Sequence, residues 1–241
     1  MKDKVIKCLI VSHNNRLRTF LSSFFDIPTN VKFRNQVIVK LKISKRESKI
    51  SLFSEGCLRL KKKGRYFGEG KNDIDVKNIE NFEFKPLKTK SKIIDWSILK
   101  HDLEIYLVRH GESYGNIRDV KVILDPLLTD HGKKNSVKKD LKDLCDKIDY
   151  FFVSSLVRTR QTLKALCPKQ DKEVFILPCA KECLVDKNNK EKKINSFSNI
   201  RNIFRTNIPK GMKINWKYNK DCHKESNMIK ELVKIIEKES K

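Results

Sequence analysis

The chain has 241 residues, with 54 Lys+Arg against 30 Asp+Glu, a formal net charge of +24. A chain of this length buries roughly 70–75% of its unfolded surface, and its thirteen Phe with abundant Ile, Leu and Val exclude wholesale disorder. No apolar run reaches the ~18 residues of a transmembrane helix, and Met1–Ser12, broken by Lys7 and followed by no small-residue cleavage site, does not read as a secretory signal.

In chain order, Val5–Val11 reads as a short buried parallel strand, β-branched and nearly continuous in hydrophobicity. Ser12 to Arg16 turns into a helix over Arg16–Phe25, with Leu17, Phe20, Leu21, Phe24 and Phe25 on one face and Pro28 closing it. Gln36–Ile43 alternates apolar and polar residues as a half-buried strand does. Residues 44–103 differ: Ile50–Phe53 and Leu58–Leu60 suggest an inserted hairpin, followed by a long connector interrupted by Gly64, Gly68 and Gly70. A plain loop of about 60 residues is foreign to a compact domain, so part of the segment should be ordered.

Leu103–Arg109 is a second buried strand. Thr129 is a candidate N-cap for a helix carrying Val137, Leu141, Leu144 and Ile148. Tyr150–Val153 is a third strand, Thr159–Leu166 a helix stopped by Pro168, and Glu173–Leu177 a fourth strand. Residues 185–222 are polar and irregular, and Glu225–Glu239 is an amphipathic helix with Met228, Leu232, Ile235 and Ile236 inward. Repeated alternation of strand and helix predicts a three-layer α/β/α sandwich with a mostly parallel sheet.

Seven cysteines, an odd number in a mid-sized chain, fit reduced thiols inside a cell better than a disulfide framework. A cytoplasmic protein is therefore expected. Cys179 and Cys183 lack the second ligand pair a structural zinc needs, so no metal is expected. The positive charge is diffuse, and Lys61–Lys63 is the only tight basic run. It favours anionic ligands by long-range steering. Nucleic acid is possible but not favoured, because no recognition motif accompanies the charge. No membrane partner is expected.

The chemistry concentrates in Leu107-Val-Arg-His-Gly-Glu-Ser113, with Asn116 just beyond. Ligands of open α/β sheets bind outside the carboxyl ends of strands, where Gly111 allows a sharp turn. His110 then stands at a strand's end beside a guanidinium, Arg109, suited to a phosphoryl oxygen. Val153–Thr162 repeats strand, turn and helix N-terminus and carries Arg158, while Ile10-Val-Ser-His13 ends a third strand in histidine. Two histidines and two arginines converging on one sheet edge make an anion pocket with a nucleophile inside. His101, His131 and His223 read as surface residues.

These motifs resemble the histidine phosphatase superfamily, the phosphoglycerate mutase-like proteins. Arg109-His-Gly-Glu112 is similar to that family's signature, Ser154–Thr162 to its second motif, and Asp125–Gly132 to the segment between, together covering residues 104–167. In the family the second catalytic histidine follows a late strand. Here Ile10–His13, the helix after it and Asn35–Leu41 resemble the family's C-terminal third. The order implies a circular permutation, with Met1 near Lys241. Residues 1–43 and 104–241 would form one catalytic domain, 1–43 equivalent to the family's C-terminal third, 104–241 to its N-terminal part, and 44–103 bridging the usual chain ends. The alternative is a truncated chain in which Ser12-His13 is a coincidence.

The resemblance implies phosphomonoester hydrolysis through a phosphohistidine on His110. Arg109, Arg158 and His13 would stabilise the equatorial oxygens, and Glu182 would serve as acid and base. Asn116 and Ser155 are substrate-binding candidates, no cofactor is implied, and the substrate would be small and phosphorylated. A mutase-type phosphotransferase, or a non-catalytic anion- or nucleic-acid-binding protein on the same fold, is the alternative. Two departures stand out: Asn14 follows His13 where the family has Gly, and Glu182 lacks the family's acidic-Gly context.

Overall fold

The computed structural model describes residues 5–22, 31–33, 35–43, 48–52, 58–61, 73–75, 100–117, 125–136, 142–181, 208–215, 217 and 228–240. Its strands are β1 (Val5–Ser12), β2 (Val31–Phe33), β3 (Ile38–Ile43), β4 (Ser48–Leu52), β5 (Leu58–Lys61), β6 (Asp73–Asp75), β7 (Asp102–Arg109), β8 (Tyr150–Val153), β9 (Glu173–Ile176) and β10 (Lys213–Asn215). Its helices are α1 (Asn14–Ser22), α2 (Asp130–Ser136), α3 (Lys142–Asp146), α4 (Val157–Leu166) and α5 (Met228–Glu239).

Seven strands form the main sheet in the order β10-β9-β8-β1-β7-β3-β4. The pairings from β10 through β7 are parallel, and those of β7 with β3 and β3 with β4 are antiparallel. β1 and β7 are apolar nearly throughout because both faces of each are covered. Ile6, Cys8 and Ile10 of β1 and Leu103, Ile105 and Leu107 of β7 pack with Leu17, Phe20 and Leu21 of α1 and Met228, Leu232, Ile235 and Ile236 of α5. The alternate residues Leu9, Val11, Tyr106 and Val108 pack on the other side with Leu144, Ile148, Leu163 and Leu166. The period of two along a strand thus feeds two separate cores, and the α/β/α sandwich with a mostly parallel sheet is the observed fold.

Several boundaries differ from the sequence reading. α1 begins at Asn14, where the Asn14 side chain accepts a hydrogen bond from the Phe33 amide at 2.8 Å. Phe24, Phe25 and Pro28 lie outside the described residues. Gln36, read as strand, has φ 64° and makes the turn into β3 instead. The expected hairpin of the 50s segments is not formed by those two strands with each other. β4 pairs with β3, whereas β5 lies between β2 and β6 in a separate three-stranded sheet. Short strands separated by polar residues carry no mark of their partner, and pairing is decided by the available edge. β10, in the stretch read as irregular, extends the main sheet beside β9.

Thr129 is the expected cap: its Oγ1 accepts the Gly132 amide at 2.9 Å. The helix after it is described as α2 and α3, with 137–141 outside the described residues. The expectation of reduced thiols is corrected by a Cys145–Cys167 disulfide. It ties the end of α3 to the C-cap of α4, two places that strand-and-helix packing brings together although 22 residues separate them. Cys179 is also disulfide-bonded, and Cys8 is a buried free thiol.

Met1 and Lys241, expected to be neighbours, lie outside the described residues. Ser240 Oγ is 3.0 Å from the Tyr150 hydroxyl, and Tyr150 pairs with Cys8 of β1. No helix among the described residues is long and apolar enough to cross a membrane.

Candidate active site

The parallel register sets the site. Ser12 is opposite Arg109 and Val11 is opposite Val153, so β1, β7 and β8 end level with one another. The next residues are His13, His110 and Ser154. Backbone bonds carry the register past the strands: the His110 amide donates to Ser12 O at 3.0 Å and the Ser154 amide to Val11 O at 3.3 Å. The two imidazoles consequently meet, with ring centroids 5.0 Å apart and planes inclined by 56°. Both are buried, as are Arg109 and Arg158.

His110 Nδ1 is 2.6 Å from Gly111 O. A carbonyl only accepts, so Nδ1 carries the proton and Nε2 keeps its lone pair. Arg158 Nε donates to that Nε2 at 3.3 Å. Burial, then Arg158 and Arg109, push the His110 pKa well below 6.5, against the Gly111 bond. Burial also lowers His13 well below 6.5, followed by Arg158, His110, Arg109 and Arg16. Both rings are neutral at pH 7. This refines the sequence expectation for His13: in the free pocket it is a neutral hydrogen-bonding ring, and the standing positive charge belongs to arginine.

The scaffold around the rings is dense. His13 Nε2 and Ser154 Oγ are 2.9 Å apart, and Ser154 Oγ also accepts the Leu156 amide at 3.1 Å. Thr162 Oγ1 accepts the Gly111 amide at 2.9 Å and donates to Arg158 O at 2.7 Å, clamping the His110 turn to α4. Arg109 Nη1 donates to Phe33 O, which holds its guanidinium against β2. Gln36 joins the same turn twice, its amide donating to Arg109 O at 2.9 Å and its Nε2 to Gly132 O at 3.0 Å. Gly132 is there because an added Cβ would stand 2.1 Å from Glu112 O. Among the described non-glycine residues only Gln36 has a positive φ, so Asn14, in the family's glycine place, leaves the turn right-handed.

Asp125 reaches the site from the segment before α2. Both of its oxygens accept the Val157 amide, at 3.0 and 3.2 Å, and Oδ1 is 3.8 Å from Arg158 Nη1. Burial raises its pKa, opposed by the Val157 N–H, Arg158, Arg160 and Lys181. Arg160 is wholly buried, and burial pushes it down to about 9 against the attraction of Asp125, so it remains charged at neutral pH.

The fold therefore brings together His13, His110, Arg109 and Arg158. Ser155, which follows Ser154 in the chain, is buried. Asn116 is exposed, and its Oδ1 accepts the Ser113 amide at 3.0 Å, serving the turn. Glu182 lies outside the described residues. The loop leading to it is held by the residues flanking His13: Ser12 Oγ donates to Ala180 O at 2.7 Å and Arg16 Nε to Lys181 O at 2.8 Å. Sequence reasoning missed Ser154, Thr162, Gln36, Arg16 and Asp125 as site-builders. The first two and Asp125 lie inside motifs already singled out, which was the available signal; Gln36 and Arg16 had none. Among the described residues no group of His, Cys, Asp and Glu could hold a metal ion.

Chemically, this is a buried, positive cradle with an unprotonated imidazole nitrogen in it, suited to an oxyanion bearing an electrophilic centre. Neither a curated protein nor a solved structure matches the chain. A family model does: residues 105–196, which hold Arg109, His110 and Arg158, match the histidine phosphatase superfamily (branch 1).

Proposed function

We propose that the protein is a phosphatase that hydrolyses phosphomonoesters of small molecules through a phosphohistidine. The observation that carries this is the 5.0 Å pairing of the His13 and His110 rings with Arg158 Nε on His110 Nε2. His110 Nε2 attacks phosphorus as the bond to the leaving oxygen breaks. Glu182, assigned from the family resemblance, gives that oxygen its proton. Arg158 exchanges its resting bond to Nε2 for a phosphoryl oxygen, and Arg109 and His13 take the others. Water then attacks phosphorus, the N–P bond breaks, and the carboxylate receives the water's proton. Asn116 and Ser155 complete the substrate contacts. No cofactor takes part.

In the same reading, residues 1–43 and 104–241 make one catalytic domain, permuted relative to the family, with 44–103 inserted. Its support is that β1 lies between β7 and β8 and contributes His13 from outside the matched stretch.

The test is incubation with a general phosphomonoester, following phosphate release and trapping protein-bound phosphate on quenching. Release together with an acid-labile, base-stable adduct is expected, and His110→Ala should remove both. Undiminished release by that variant ends the proposal.

A further inference from the structure

We propose that Asp125 is a positioning residue for phosphoryl transfer, orienting Arg158 from the side opposite His110. The inference rests on the phosphatase reading above. Arg158 is buried, and two of its contacts lie on either side of the guanidinium: its Nε donates to His110 Nε2 at 3.3 Å and its Nη1 forms an ion pair with Asp125 Oδ1 at 3.8 Å. A guanidinium is planar, so fixing two of its nitrogens fixes the plane. When a phosphoryl oxygen displaces the resting bond to His110, the ion pair with Asp125 persists and helps to keep that plane aimed at phosphorus.

Asp125 is itself immobilised. Its carboxylate accepts the Val157 amide with both oxygens, at the first residue of the helix whose second residue is Arg158. One carboxylate thus anchors both the backbone and the side chain of the phosphate-binding turn. It also offsets part of the charge of two buried cations, Arg158 and Arg160, while leaving the pair net positive for a dianion.

The charge and the cap can be separated. Asp125→Asn keeps an acceptor for the Val157 amide and removes the charge, and Asp125→Ser is a second variant of the same kind. If Asp125 aims Arg158, kcat for phosphomonoester hydrolysis falls about tenfold to a hundredfold in both, as small misplacements of catalytic groups do. Inhibition by inorganic phosphate stays within about twofold or strengthens, because a nearby negative charge has gone. In an Arg158→Ala background, Asp125→Asn changes kcat by less than about twofold, since the residue it acts through is absent. Wild-type kcat in Asp125→Asn, or full multiplication of the two effects, overturns the proposal. So does failure of both variants to fold, which would make Asp125 a stability residue.

A readout independent of turnover is the ring 15N spectrum of His110. Its Nε2 resonance should move in Asp125→Asn toward its position in Arg158→Ala, and an unmoved resonance overturns the proposal. A wild-type protein that hydrolyses nothing would sink the phosphatase reading, and the spectrum would still decide on Asp125.

Discussion

Two neutral imidazoles buried among guanidiniums must make folding sensitive to acid. In the folded protein both pKa values lie well below the 6.5 of a free ring, through burial and the neighbouring arginines. Well above pH 6.5 neither state is protonated at these rings, and they contribute nothing to the pH dependence there. Below it the unfolded chain takes up protons that the native pocket refuses, so stability falls with pH until the folded values are reached. For a ring protonated only when unfolded, the loss on going from pH 7.5 to 5.5 is on the order of 1 kcal/mol, and for the pair a few kcal/mol at most. Urea unfolding at the two pH values, with the wild type against a His13→Asn/His110→Asn variant, isolates this share, because the other titrating groups are common to both. The wild type should lose more than the variant on acidification, by a few kcal/mol at most. Inorganic phosphate should reduce the difference, since an anion in the cradle favours protonated rings. Equal losses in the two proteins would refute the account of two buried rings that stay unprotonated.

Three further outcomes follow from the packing. Ser154→Ala removes the buried hydroxyl that bonds His13 Nε2 and accepts the Leu156 amide; it should cost about 1–3 kcal/mol in chemical denaturation and lower turnover. Gly132→Ala drives a methyl to 2.1 Å from Glu112 O, so α2 must move off the Arg109–Glu112 turn; a lowered melting temperature and lost activity are expected, and wild-type values for both would contradict the close approach. Selective loss of the Cys145–Cys167 bond in a Cys145→Ser/Cys167→Ser variant should lower stability by about 3 kcal/mol, from the loop of 22 residues it closes, and thiol titration of the denatured wild type should show both cysteines blocked.

The sandwich was legible because its central strands are buried on both faces: a run such as Ile105–Val108 has no other place to be. The His110 segment was legible because a strand, a glycine turn and a charged pair announce a ligand edge. What the sequence hides is partnership. Nothing in Ser48–Leu52 or Leu58–Lys61 tells which edge each will meet, since both are short and half polar. Lys213–Asn215, three residues in a polar stretch, is strand only because β9 offers it an open edge. The Cys145–Cys167 bond needed coordinates, because odd cysteine numbers speak of averages and not of two sulfurs in contact. The same holds within the site. Ser154 and Thr162 were in view as motif letters, but their work, gripping His13 and Gly111, depends on register.

The placement of β1 has a consequence for biosynthesis. The strand occupies the middle of the sheet, and His13 closes onto a serine 141 positions downstream while Ser12 closes onto a carbonyl 168 positions away. A ribosome delivers β1 well before β7 and longer still before β8, so the nascent segment stays unpaired until β7 emerges. Such distant closures slow folding and leave apolar edges open to wrong partners. Translation speed and chaperone supply should therefore weigh more on the yield of this protein than on that of one whose central strand is made last.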